Sequence, residues 1–398
     1  MKVQADPPLH LTYCLNVHPG ESWAENFAAI RDYALRVRDR VAPGQPFGLG
    51  LRLSARAADQ LAEPPAMSEL GDFLARENLY VFTINGFPYG RFHDTAVKTS
   101  VYSPDWRTPE RRDYTIALAD ILARLLPAGV TGSISTVPCS YKPWIAGDRD
   151  VQLMAKMLCD VVAHLADLQR SAGREIAIAL EPEPDCYVEN TDEVLAFFTG
   201  PLLAFGAGYL AEKHGLQRPA AEGLISRHLG VCFDTSHLAV EFEDLPTALR
   251  RLQAAGVKIA KVHLSAALQA AATTAAREQL REFCDPVYLH QVKVRRADGR
   301  ITSYADLPEA LADAAGEPAD QWRIHFHVPL FFERLGELAS TNSLLTGKLA
   351  AALRAGATEH LEIETYTFNV LPAELRPADL ADGIAREYEW VMRELLGR

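Results

Sequence analysis

Three carboxylates and one imidazole stand at the ends of short apolar runs in this chain. Glu181 ends IAIALEP (176–182), Asp234 ends GVCFDT (230–235), His263 ends VKIAKVHL (257–264) and Glu364 ends LEIETY (361–366). If these runs are parallel strands of one closed sheet, their C-terminal ends meet on a single face, where residues distant in sequence converge. Strand alternation supports the reading. Ile176, Ile178 and Leu180 share one face, whereas Ala177, Ala179 and Glu181 share the other; Cys232 and Asp234 likewise oppose Val231 and Phe233. Burying several carboxylates together is costly without a counter-charge. One divalent metal ion held by Glu181, Asp234, His263 and Glu364 supplies it, and oxygen-rich ligation with one nitrogen suits Mn²⁺, Mg²⁺, Co²⁺ or Zn²⁺.

The elements that position these residues follow from a recurring junction. A helix-period stretch ends in glycine at Gly129, Gly173, Gly256 and Gly356, and each time a β-prone run follows. Glycine just past a helix takes the left-handed turn that caps it. Helix-to-strand alternation of this kind argues for a parallel sheet. Further candidate strands are LTYCLN (11–16), FGLGLRLS (47–54), LYVFTIN (79–85), GSISTV (132–137), VYLHQVKV (287–294) and RIHFHV (323–328), which makes two more than an eight-stranded barrel needs. The stretch from His263 to Leu361 is too long for one crossover. VYLHQVKV and RIHFHV are therefore assigned to an insertion, residues 265–358, between strands 7 and 8. The expected fold is α/β, a single (β/α)8 TIM barrel over residues 1–398. The uncharged run Val194–Ala211 contains Pro201, so two buried helical pieces are expected there rather than a membrane span.

Composition narrows the function. Forty basic against 52 acidic residues leave a net charge of −12, a field that repels phosphate backbones, so no nucleic-acid partner is expected. Six cysteines without a CxxC pair read as free thiols, and the N-terminus shows no apolar leader; both suggest a cytoplasmic protein. The GxGxxA match at Gly206 follows a helical stretch rather than a strand, which argues against a dinucleotide site. Asp234 and His237 in DTSH are too close in sequence to act as parts of a hydrolase triad.

Several other residues are candidates. Asn16 and His18 close the first run and Asn85 the third, positions suited to substrate hydrogen bonds or to holding loops. His325 and His327 share one face of RIHFHV, where they either line the pocket or supply a second metal; His290 is either a pocket residue or a satisfied core histidine. Lys98 either steadies an anionic substrate group or is a solvated surface residue. Lys261 and Glu362 lie two residues before His263 and Glu364, so both should point inward one layer deeper, and a lysine there requires a partner. A buried Lys261–Glu362 ion pair is expected.

LEPEP, CFDTSH, VHLS and the late strand with glutamate resemble the metal-site strands of the xylose-isomerase-like TIM-barrel superfamily, which includes sugar isomerases, sugar epimerases and endonuclease IV. More narrowly, LTYCLNVHPGESW, NGFPYGRFHDTAVKTSVYSPDW, GSISTVPCSYK, VYLHQV, WRIHFHVPLF and HLEIETYTFNVLP are similar to stretches of the EboE metabolite traffic protein family, nearly along the whole chain. The resemblance implies a metal on Glu181, Asp234, His263 and Glu364, His237 near the substrate, and Glu181 and Glu364 as a proton-transfer pair on opposite faces of a sugar. The long segment after His263 departs from the simple epimerase pattern. The reading is a metal-dependent isomerase or epimerase acting on a sugar-like small molecule, in secondary-metabolite biosynthesis or traffic. A metal-dependent hydrolase or phosphoesterase and a non-catalytic metabolite-binding protein stand as alternatives.

Overall fold

Eight strands alternate with helices and run parallel around one sheet: β1 Leu9–Tyr13, β2 Phe47–Arg52, β3 Leu79–Asn85, β4 Gly132–Thr136, β5 Ile176–Leu180, β6 Leu229–Asp234, β7 Lys258–Leu264 and β8 His360–Ile363. The computed structural model describes residues 1–93, 97–313 and 318–398. Strand order is β1-β8-β7-β6-β5-β4-β3-β2, and a parallel bridge between Cys14 and Gly50 joins the two ends, so the sheet closes into a (β/α)8 barrel. Lys2–Gln4 adds a short antiparallel edge to β1. Gly129, Gly173, Gly256 and Gly356 all take positive φ, as the junction pattern requires.

The two faces of each strand separate as alternation demands. Ile176, Ile178, Leu180, Val231 and Phe233 join the large core between sheet and helices, while Ala177, Ala179 and Cys232 form a small separate cluster with Ala260. Small residues in the barrel leave room for larger polar groups above them. Gly50 shows this best: a Cβ there would come within 2.0 Å of Glu362 Oε1 and 2.9 Å of Thr12 Cγ2.

A second, antiparallel sheet of six strands lies between β7 and β8. Its order is Ile301–Tyr304, Val292–Arg295, Gln321–Val328, Ala266–Ala271, Leu338–Ser340, Arg334–Leu335. The expected strand 287–294 is corrected to Val292–Arg295, with residues 287–291 forming a connecting loop; Ala266–Ala271 was not expected as a strand. Lys293 ties this sheet to the barrel mouth through Asp185 (3.1 Å), Glu189 (3.2 Å) and Glu241 (3.1 Å).

The apolar run after Asn190 is also corrected. It forms one continuous helix, Thr191–His214, whose π-helical middle, Phe198–Gly206, accommodates Pro201. Among the described residues it is the one helix long and apolar enough to cross a membrane. Val194, Phe197, Leu202 and Leu210 on it are buried and belong to the main core. Gly206 faces Cys159 of helix Asp148–Ala172, where a Cβ would lie 2.8 Å from the thiol sulfur.

Candidate metal centre and cavity at the barrel mouth

The four singled-out groups converge. One ligand atom from each of Glu181, Asp234, His263 and Glu364 lies within 4.8 Å of the others, and all four residues are buried. His263 occupies the middle. Its Nδ1 is 2.9 Å from Glu181 Oε1, 3.1 Å from Glu364 Oε2 and 3.7 Å from Asp234 Oδ2. Its Nε2 is 2.8 Å from Glu362 Oε2.

Local structure explains each position. β6 ends at Asp234, which caps the following helix, Thr235–Val240: Oδ1 accepts the Ser236 and His237 amides at 2.7 and 2.9 Å and the Ser265 hydroxyl at 2.7 Å. That leaves Oδ2 without a hydrogen-bond partner, and Glu181 Oε2 is likewise unpartnered. Glu364 lies just past β8, where Asn16 and Asn85 each donate an amide hydrogen to Oε1 at 2.9 Å. Both asparagines also line the cavity.

The inner layer holds the expected ion pair. Lys261 donates to Glu362 Oε2, and both side chains are fully buried. The same carboxylate oxygen faces His263 Nε2, a contact that alternation alone does not reveal because it joins two layers. Burial works against ionisation of Glu362, yet Lys261 and His263 hold its carboxyl down at about 2. Burial also works to lower the His263 pKa, but Glu181 and Glu364 are among the anions that hold it well above the usual range. Burial, helped by Glu364 and opposed by His263, pushes Glu181 up to about 7. Asp234 is held well below the carboxylate range despite burial, by the neighbouring His237 and His263 imidazoles.

This donor set fits a divalent cation. Two buried carboxylate oxygens lack partners, and His263 directs Nδ1 at three carboxylates while Nε2 is tied to Glu362. An outer carboxylate that fixes the tautomer and orientation of an imidazole is the usual support of a metal-binding histidine.

Above this centre opens a cavity of about 540 Å³, counting the part open to solvent. Phe87, Phe92, Tyr102, Tyr288 and Tyr366 provide aromatic wall, and Glu181, Glu364, His237 and His325 provide polar floor. Other candidates are placed differently. His18 is outside the cavity lining, its Nε2 2.9 Å from the Tyr13 hydroxyl and its ring stacked on Tyr33. His290 is also outside: Nδ1 donates to the His325 carbonyl at 2.9 Å and Nε2 meets Asp285, so both nitrogens are used in holding the second sheet. Lys98 lines the cavity, but its ammonium is engaged by Asp306 (2.7 Å) and the Tyr288 carbonyl (2.7 Å).

Glu183 is a site residue that the strand-end argument passes over. It lines the cavity, accepts the Tyr102 hydroxyl at 2.8 Å, and burial raises its pKa well above the carboxylate range. The signal was its place in LEPEP, two residues after Glu181. Tyr102 continues the chain, accepting from Gln291 Nε2 at 2.8 Å, and Gln291 Oε1 lies 2.7 Å from His325 Nδ1.

No protein-family model matches the chain, and a search of curated proteins finds no match. Solved structures do match. A xylose isomerase-like TIM barrel protein from Mycobacterium smegmatis in complex with magnesium is 13% identical, with 99% of each chain covered and a TM-score of 0.51. A xylose isomerase domain protein from Planctomyces limnophilus is 12% identical, covering 98% of each chain at a TM-score of 0.48. The probable 3-DHS dehydratase AsbF of Bacillus anthracis, involved in petrobactin synthesis, is 13% identical, covering 97% of this chain and 99% of its own at 0.48. At such identities a likeness speaks of architecture and not of reaction. The chain has the fold of the xylose-isomerase-like TIM barrels.

Proposed function

We propose that this protein is a divalent-metal-dependent isomerase or epimerase of a sugar-like, polyhydroxylated small molecule, with an EboE-type place in secondary-metabolite biosynthesis or traffic. The observation that carries the reading is the convergence of Glu181, Asp234, His263 and Glu364, with two carboxylate oxygens left unpartnered. Such a cation would stabilise negative charge developing on a substrate oxygen as a Lewis acid. Glu181 and Glu364 stand at the ends of different strands and supply the base and acid that take and return a proton at carbon. Groups in those roles each contribute about 10² to 10⁴ in rate. Asn16 and Asn85, through their bonds to Oε1, aim the Glu364 carboxylate. Glu183, whose carboxyl burial pushes well above the usual carboxylate range, lines the substrate space beside them. The aromatic wall offers an apolar surface beside the reacting carbon.

The test is exchange of solvent deuterium into the carbon-bound positions of ketoses and aldoses by the Mn²⁺- or Mg²⁺-loaded protein. Enrichment that disappears in Glu364→Gln supports the proposal. Phosphate release from a phosphoester without exchange would identify a hydrolase instead. Tight binding of a polyol with neither reaction would identify a carrier.

A further inference from the structure

The cavity over the carboxylate centre is divided. Its polar groups gather on the floor, at Glu181, Glu364, His237 and His325, whereas its wall is apolar and comes from three separate segments. Phe87 and Phe92 follow β3, Tyr288 and Leu289 belong to the loop before Val292–Arg295 of the insertion, and Tyr366 follows β8. Three of these rings meet at one corner. Ring centroids are 5.2 Å apart for Phe92 and Tyr288, 5.2 Å for Phe92 and Tyr366, and 5.1 Å for Tyr288 and Tyr366. Their planes are inclined at 47°, 64° and 69°, the tilted and edge-to-face arrangements that aromatic side chains favour. His327, which does not line the cavity, backs the Tyr366 ring at 4.8 Å.

The polar atoms of this wall are already engaged within the protein. His93 Nε2 donates to the Asn16 carbonyl at 2.6 Å, so His93 Nδ1 accepts the Tyr288 hydroxyl at 2.8 Å. The Tyr102 hydroxyl donates to Glu183 and accepts from Gln291, both at 2.8 Å. Among the described residues Lys98 is the one lysine or arginine lining the cavity, and Asp306 and the Tyr288 carbonyl hold its ammonium, each at 2.7 Å. Hydroxyl groups of a bare sugar lying against this corner would give up water and find no partner in exchange. An apolar group makes no such sacrifice. The cavity volume of about 540 Å³, counting the part open to solvent, lies in the range of sites that bury drug-sized ligands.

We propose that the substrate is a two-part molecule: a polyol whose reacting carbon sits on the carboxylate floor, bearing an aryl substituent that packs in the Phe92–Tyr288–Tyr366 corner. The polyol half rests on the isomerase reading above; the aryl half rests on the corner itself. Tilted rings about 5 Å apart present faces and edges to a further ring, and aromatic pairs gain from that geometry beyond the area they bury. A charged substituent would meet no free counter-charge there among the described residues. Tyr288 and Leu289 reach the wall from the segment between β7 and β8, so the insertion serves as a specificity element that the eight strands alone do not supply.

The experiment is titration calorimetry of the full-length protein in the presence of Mn²⁺ with paired probes, the phenyl and methyl glycosides of glucose, galactose, mannose and xylose. At least one phenyl member is expected to bind about 10-fold or more tighter than its methyl twin. Phe92→Ala should bring that ratio down toward one, as should Tyr288→Ala. A ratio near one in every pair overturns the proposal, and so does a panel in which no phenyl member binds. Variants that weaken both twins equally also overturn it, because a merely structural role for the rings leaves the ratio where it was. Failure of the isomerase reading has a different signature: no solvent deuterium enters any sugar, while the phenyl preference and its loss in Phe92→Ala persist and uphold the aryl corner. The wild-type comparison needs no variant, so misfolding of a mutant does not shelter the idea.

Discussion

Substituting Lys261 with methionine keeps an unbranched side chain one atom shorter and removes its charge from a site that is 0% exposed. Glu362 then keeps one partner on Oε2, the His263 ring at 2.8 Å, while Oε1 has none. Breaking one side of a buried pair typically costs about 3–5 kcal/mol, because the remaining charge stays buried. The surviving histidine places Lys261→Met near the lower end, about 3 kcal/mol. Glu362→Gln strands the ammonium instead and should cost about as much. Removing both charges in Lys261→Met/Glu362→Gln should restore stability to within about 1–2 kcal/mol of the parent, because paired charges can be replaced together at little cost. Urea unfolding of metal-free protein at pH 7 measures all three, and a coupling of at least about 2 kcal/mol is expected. Acid dependence adds a second readout. The native Glu362 value of about 2 lies below the ordinary 4.5, so its contribution is complete above 4.5 and is lost as pH falls toward 2. In Lys261→Met that acid-side loss should shrink. Single variants within about 0.5 kcal/mol of the parent, or strictly additive effects, would refute the reasoning.

Gly50→Ala places a methyl group 2.0 Å from Glu362 Oε1, between β2 and the ion pair, and should cost about 1–3 kcal/mol in urea unfolding. Asp234→Ala should strip bound metal from the purified protein in element analysis; unchanged content would remove Asp234 from the ligand set. Adding a divalent ion at 100 times its dissociation constant should stabilise the native state by about 2.7 kcal/mol, seen as a rise in melting temperature that a chelator reverses. Glu387, buried beneath Thr365 and the Leu330 amide, is raised by burial to about 8, so the native state favours its protonated form and stability should fall as pH rises from 4.5 through 8. Glu387→Gln should flatten that decline and gain on the order of 2 kcal/mol at pH 9 relative to the parent.

The barrel and its carboxylate centre were legible because they depend on two strictly local rules. Alternation decides which face of a strand is inward, and glycine-capped helix ends decide where strands begin. Glu181, Asp234, His263 and Glu364 obey the first, and Gly129, Gly173, Gly256 and Gly356 the second. Even the Lys261–Glu362 pair followed, because a cation inside a closed sheet must meet an anion. Other features needed the three-dimensional arrangement. AALQAA at 266–271 carries weak strand propensity, and it becomes a strand because Gln321–Val328 and Leu338–Ser340 pair with it on both sides. VYLHQ at 287–291 has stronger strand character and is a loop, with Tyr288 turned into the cavity wall and His290 spent on Asp285.

The sequence by itself therefore determined which side chains face the barrel axis and at which end, since that information is carried by period-two spacing within single strands. Only the tertiary structure decided that His263 leans on Glu362, that Glu183 reaches Tyr102, and that His237 meets His325 and His327. Those contacts join segments from 81 to 99 residues apart: the first is set by the register of β7 against β8, the second by how the loops after β3 and β5 pack, and the third by how the inserted sheet docks on the barrel mouth, none of which a local period encodes.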